Sequence, residues 1–209
     1  MKNVFFLLVL ICGTVALIGS CAKKDENATT ATTTTALVAS STASGSITVG
    51  SETLSGTYAT SCYTAGVSDL VSSGSVPSDT KALGWLFVVR GNDNITEEQH
   101  GFTDTTCTTK NYHSNLVYDN VSVGSASGSN YQVLQLYTGV NLLANTTAAD
   151  TWLETQFSVT LTVGTENKYS VGPYQSYGLW NLSGTTFQKG LTSASGYPSD
   201  LWSIPYTKQ

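Results

Sequence analysis

The chain has 209 residues, only 11% of them charged, with 9 basic and 14 acidic side chains and a net charge of −5. No basic run exists beyond Lys23-Lys24, which argues against a nucleic-acid partner. Gly, Ser and Thr are abundant and Tyr outnumbers Phe, a balance that favours short strands, many turns and a polar, weakly charged surface.

The chain opens on Met1-Lys2-Asn3, a short positive start, followed by the almost wholly apolar residues 4–18 and the small pair Gly19-Ser20 before Cys21. This is the layout of a secretory signal peptide. Ile18-Gly19-Ser20-Cys21 resembles the lipobox of bacterial lipoproteins: an aliphatic residue, two small ones, then cysteine. The resemblance implies that residues 1–20 are removed, that the Cys21 thiol carries a diacylglyceryl group, and that the mature protein is held in a membrane by acyl chains. A spanning helix is the competing reading. The apolar stretch, about 15 to 18 residues, is at or below spanning length, and such a helix needs no small-small-Cys ending. Cys12 follows the bulky Leu10-Ile11 and lies inside the discarded stretch. Ala22 stands where some bacterial lipoproteins carry an inner-membrane retention Asp, so the resemblance leans towards the outer membrane.

Residues 21–46 read as the lipidated cysteine and a flexible Thr/Ala/Ser-rich linker, with too little apolar surface to offset the entropy of ordering. A coil of about 25 residues spans roughly 25–30 Å on average, enough to hold a domain off a lipid surface. An edge strand around Leu37-Val38 is the alternative. The domain is then residues 47–209, roughly 160 residues with a core of their own.

From Ile47 onward the dominant period is two. Residues 54–61 form a first β segment with Leu54 and Tyr58 on one face. Residues 83–89, apolar on both faces, read as a central strand, and residues 95–102 as a more polar one. Residues 112–123 and 131–140 follow. Residues 146–156 break the pattern: Thr147 with Asp150 forms a capping signal, and Ala149, Trp152, Leu153 and Gln156 recur at helical spacing, predicting a short helix. Residues 157–163 alternate perfectly and predict a strand; residues 174–182 and 185–189 close the series. Turn residues separate these segments at 91–94, 124–128, 164–167 and 183–184. The expected fold is all-β: an antiparallel eight-stranded barrel with one short helix, with a β-sandwich as the alternative.

Cys62 and Cys107 remain after processing, besides Cys21. An oxidising compartment favours a disulfide between them, two free buried thiols being the other possibility. Leu54-Ser55-Gly56-Thr57-Tyr58 before Cys62, and Phe102-Thr103-Asp104-Thr105-Thr106-Cys107, resemble the opening strand and the cysteine segment of small lipocalin-like domains of exported bacterial proteins. Gly184-Thr185-Thr186-Phe187-Gln188-Lys189-Gly190, Tyr197-Pro198-Ser199-Asp200-Leu201 and Tyr206-Thr207-Lys208 resemble their ending, so the motifs bracket almost the whole domain. The departure is at Tyr197-Pro198, where lipocalins proper have an Arg before the Pro that closes the barrel bottom. The resemblance implies a lipocalin-like barrel and a binding module.

Few residues suggest chemistry. His100 and His113 can meet each other and Asp104 or Asp119 if their strands pair; a place on a polar surface is the plainer reading. Glu97 and Glu98 are strand neighbours and point to opposite faces, so they cannot pair as acid and base. No Gly-x-Ser-x-Gly turn, phosphate loop or cysteine/histidine ligand spacing is present. The expectation is therefore no catalytic residue, no metal and no cofactor. Trp85, Phe87, Tyr118, Tyr137 and Trp180, with Trp152 and Trp202, are the candidate lining of a pocket for a small apolar ligand; otherwise they fill the core. The functional expectation is a non-enzymatic binding module on a membrane anchor. The alternative is a surface interaction, adhesion or envelope structural protein that meets a protein partner without a ligand pocket.

Overall fold

The computed structural model describes residues 36–209. The expected signal peptide, the expected lipidation site Cys21 and the first part of the expected linker lie outside the described residues.

The protein is all-β. A small antiparallel hairpin, β1 (Ile47–Val49) with β2 (Glu52–Leu54), precedes eight strands: β3 (Thr57–Ala59), β4 (Ala82–Val89), β5 (Ile95–Phe102), β6 (Lys110–Ser127), β7 (Asn130–Ala144), β8 (Asn167–Ser183), β9 (Thr186–Lys189) and β10 (Tyr206–Lys208). These eight pair in chain order from β3 to β9. β10 then joins β9 to β3, so the antiparallel sheet forms one ring and not two stacked layers. Two short helices, α1 (Val67–Ser72) and α2 (Thr147–Phe157), flank it.

Strand alternation decides what faces inward. On β4, Leu83, Trp85, Phe87 and Val89 enter the main core, while Ala82 and Leu86 join a second cluster on the outer wall. All eight β4 residues are buried, as a run apolar on both faces demands. The inner core is aromatic: Phe187 lies 4.6 Å from Phe87, 5.6 Å from Trp180 and 5.8 Å from Tyr58, ring centre to ring centre. The hairpin adds Ile47, Val49 and Leu54 to this core.

The helix forms as its spacing requires. Ala149, Leu153 and Phe157 make its buried stripe, and Thr146, one residue before the expected cap, accepts the Ala149 N–H at 3.2 Å. Residues 158–163 are not a strand. Phe157 completes the helix stripe, Ser158 turns the chain with φ 54°, and the Leu161 N–H donates to Glu154 Oε1 at 2.8 Å. The alternation there matched burial as far as Leu161, which is buried beside an exposed Thr162, but Val163 is exposed as well and the segment has no partner strand. α1 has no side-chain cap and only Val67 and Leu70 buried.

The flexible-linker expectation also needs correction at its end. Residues 37–46 lie against the outer wall as a strap. Leu37 is buried over the bare backbone of Gly84, where any side chain would collide with it, and joins Ala59, Ala82, Leu86, Phe102 and Cys107. The Ser44 N–H donates to the Val89 carbonyl at 2.9 Å. One well-placed leucine in a polar segment anchors its start.

Cys62 and Cys107 are disulfide-bonded, with Cα atoms 5.8 Å apart. Asp104 explains the motif around Cys107. Its carboxylate accepts from the Thr106 hydroxyl (2.6 Å) and from the N–H groups of Thr106 (2.8 Å), Thr108 (3.1 Å) and Thr109 (2.6 Å). The Thr106 hydroxyl and those amides hold the Asp104 carboxyl well below the usual range. The loop so formed supports Cys107 at φ 56°.

Candidate functional site

β5 presents two different polar faces, because Glu97 and Gln99 point into the ring and Glu98 and His100 point out. Register fixes this: Glu97 sits opposite Phe87 and Leu116, and Gln99 opposite Trp85 and Ser114.

Inside the ring these residues line a cleft with Trp85, Leu116, Trp202 and Tyr206, beside Lys189 and Gly190. The space open to the centres of water-sized groups is about 60 Å³, within about 590 Å³ of unoccupied space that includes the open mouth. One water needs about 10–15 Å³ in this measure, so the cleft has room for about four waters or one small ring, and not for a lipid chain. Trp85 and Trp202 meet edge to face at 5.0 Å, and Trp202 lies 6.1 Å from Tyr206. A buried ion pair crosses the polar side: Lys189 Nζ lies 2.5 Å from Glu97 Oε2, and Lys189 also contacts Thr192 Oγ1 at 3.5 Å. The Gln99 amide N–H donates to Tyr112 Oη at 3.0 Å, and burial pushes the Tyr112 hydroxyl above the ordinary tyrosine range.

Of the expected pocket aromatics, Trp85 and Trp202 reach this cleft and the other five do not. Phe87 and Trp180 pack edge to face at 5.2 Å within the closed cluster around Phe187. Tyr118 and Tyr137 stack on each other at 5.7 Å, both essentially buried. Trp152 lies on Tyr112 and donates its indole N–H to the Gly74 carbonyl at 2.9 Å. Sequence reasoning missed the Glu97–Lys189 pair. Its signal was present in the alternation of β5, but Lys189 lies 92 positions further on, and nothing local announces the meeting.

On the outer wall, His100 and His113 are direct cross-strand partners with ring centres 5.6 Å apart. They are buried, not surface residues as the sequence suggested: 0% and 3% exposed. His100 Nε2 lies 2.9 Å from Glu98 Oε2, and His113 Nε2 lies 3.1 Å from Glu166 Oε1. Neither meets Asp104, nor Asp119, which is bound by Asn94 Nδ2 at 2.5 Å and Thr138 Oγ1 at 2.6 Å. Burial pushes both imidazoles below their ordinary value, His113 with help from the nearby Lys110 charge, which keeps them neutral near pH 7. Burial alone would raise the Glu98 carboxyl, but the His100 contact and the N–H groups of the strap hold it below the usual range.

The Glu98 carboxylate is the clasp of the strap. It accepts from the Ser40 N–H, the Ser40 hydroxyl and the Ser41 N–H, each at 2.9 Å, and Asn115 Nδ2 donates to Ser40 Oγ at 2.8 Å. A serine, a histidine and a glutamate therefore lie together without forming a nucleophilic triad. His100 Nε2 faces both Ser40 (3.5 Å) and Glu98, and Nδ1 has no hydrogen-bond partner, so no relay runs through the ring. Among the described residues no group of three or more His, Cys, Asp or Glu is placed to hold a metal. No helix among them is long and apolar enough to cross a membrane.

The described residues form an all-β ring with a small interior cleft, aromatic on one side and polar on the other. No protein-family model matches the chain, and no match was found among curated proteins.

Proposed function

We propose that the chain is an exported bacterial lipoprotein, anchored through lipid on Cys21, whose domain is a non-enzymatic lipocalin-like barrel that binds one small, largely apolar ligand.

 The observation that carries the reading is the interior cleft: aromatic walls from Trp85, Trp202 and Tyr206 around a buried ion pair, in a space sized for one small ring. Further support comes from where the reactive groups are spent. Both histidines and Glu98 hold strand to strand and strap to wall, and both domain cysteines are in the disulfide. The described surface also exposes only Val38, Val163 and Tyr197 as large apolar residues, which favours an interior site over an apolar docking face.

Two experiments test the two halves. Cys21→Ala should abolish lipid labelling and leave unprocessed precursor; a variant that still labels and partitions with membranes contradicts the anchor. For the site, titration with small aromatic rings should perturb tryptophan emission saturably, and Trp202→Ala should remove the response. A response that survives that substitution places binding elsewhere.

A further inference from the structure

We infer that the cleft selects a small neutral aromatic ring bearing one hydrogen-bond donor, of the phenol class, and that the donor is received by Glu97. This rests on the binding reading above and adds the chemistry of the ligand.

Three observations lead there. The first is shape. Trp85, Trp202, Tyr206 and Leu116 offer flat apolar walls, and the space between them accommodates a single ring. The second is charge. Glu97 and Lys189 neutralise each other within the lining, so the cleft offers no net attraction to an ion. An ammonium group brought to Glu97 would also meet the Lys189 charge. The third is hydrogen bonding. The Gln99 amide N–H is committed to Tyr112, and the Lys189 ammonium reaches Glu97 and Thr192. Glu97 Oε2 takes Lys189, but Glu97 Oε1 is buried with no hydrogen-bond partner. A buried acceptor without a donor is costly, and a ligand hydroxyl relieves that cost. Among the described lining side chains the buried polar atom left without a partner is thus an acceptor, and it asks for a donor.

The test compares phenol with toluene, which keeps the ring and lacks the hydroxyl, and with benzylammonium, which carries a charge. Binding to the full-length protein is followed by NMR of the tryptophan indole N–H groups. Phenol should bind about tenfold or more tightly than toluene, the discrimination expected when a site's polar group is left unpaired by the poorer ligand. Equal affinity for phenol and toluene overturns the donor inference while leaving the cleft as a binding site. Tighter binding of benzylammonium overturns the neutral-ligand claim. No binding of any of the three overturns both this inference and the reading it rests on. Substituting Glu97 alone strands the Lys189 charge, so the protein-side test is the double variant Glu97→Met with Lys189→Met, which removes the pair together. It should keep toluene binding and lose the preference for phenol; a preference that persists means that another group receives the hydroxyl.

Discussion

Glu97 and Glu98 are neighbours on one strand and have opposite fates. Glu98 faces out and is saturated: two strap amides, a serine hydroxyl and a histidine all converge on it. Glu97 faces in and keeps one oxygen without a partner beside a cleft. Of the two carboxylates, Glu98 is spent on holding the fold and Glu97 keeps polar capacity in reserve. The difference teaches that a buried carboxylate is a candidate to receive a ligand where its hydrogen-bonding capacity is incomplete.

Four changes break or sharpen that contrast. The largest effect belongs to the outer side. Cys62→Ser with Cys107→Ser should lower unfolding stability by about 4 kcal/mol on the chain-entropy model for this loop, measured by denaturant titration. Glu98→Ala should cost about 3 kcal/mol, because it leaves the strap amides without their charged acceptor. It should also open residues 37–46 to limited proteolysis, whereas the Glu97→Met, Lys189→Met pair should leave the strap protected and shift stability little. A strap equally protected in Glu98→Ala would mean that Leu37 alone holds it.

Acid should expose the same asymmetry. His100 is held neutral by burial, so its folded-state pKa lies below the unfolded one. The unfolded chain then binds more protons as pH falls, and stability drops below about pH 6.5. Glu98 is also depressed, so its contribution is full above the unfolded carboxylate value of 4.5 and is lost as pH falls further. His100→Gln should flatten the first part of that slope, read from denaturation midpoints across the pH range. The smallest effect is on the inner side: phenol at ten times its dissociation constant should raise stability by about 1.4 kcal/mol, and Trp202→Ala should abolish the gain.

The ring was legible in the sequence where burial and pairing coincide. The apolar run of β4 and the alternating segments of β5 to β9 read as strands because each has a partner and a buried face. Residues 157–163 show the failure: alternation marked Phe157 and Leu161 as buried but missed that Val163 is exposed, and pairing depends on a neighbour the local sequence does not contain. The strap failed in the other direction, since its polar composition hid one leucine and three hydrogen-bond donors whose receptors, Gly84 and Glu98, lie far along the chain. Trp85 was legible as a cleft residue. Trp202, from an irregular segment, was also among the candidate lining residues, but Lys189 finds Glu97 only once the ring closes and could not be assigned a place from its own surroundings.

The central claim is that the interior, and only one part of it, binds. The four tryptophans divide the molecule: Trp85 and Trp202 line the cleft, Trp180 is sealed in the aromatic core, and Trp152 reports the helix. Titration of the isotope-labelled protein with phenol should move the indole signals of Trp85 and Trp202 along saturable curves and leave Trp152 and Trp180 in place. Shifts centred on Trp152 or Trp180, or no saturable shift at any of the four, would contradict it.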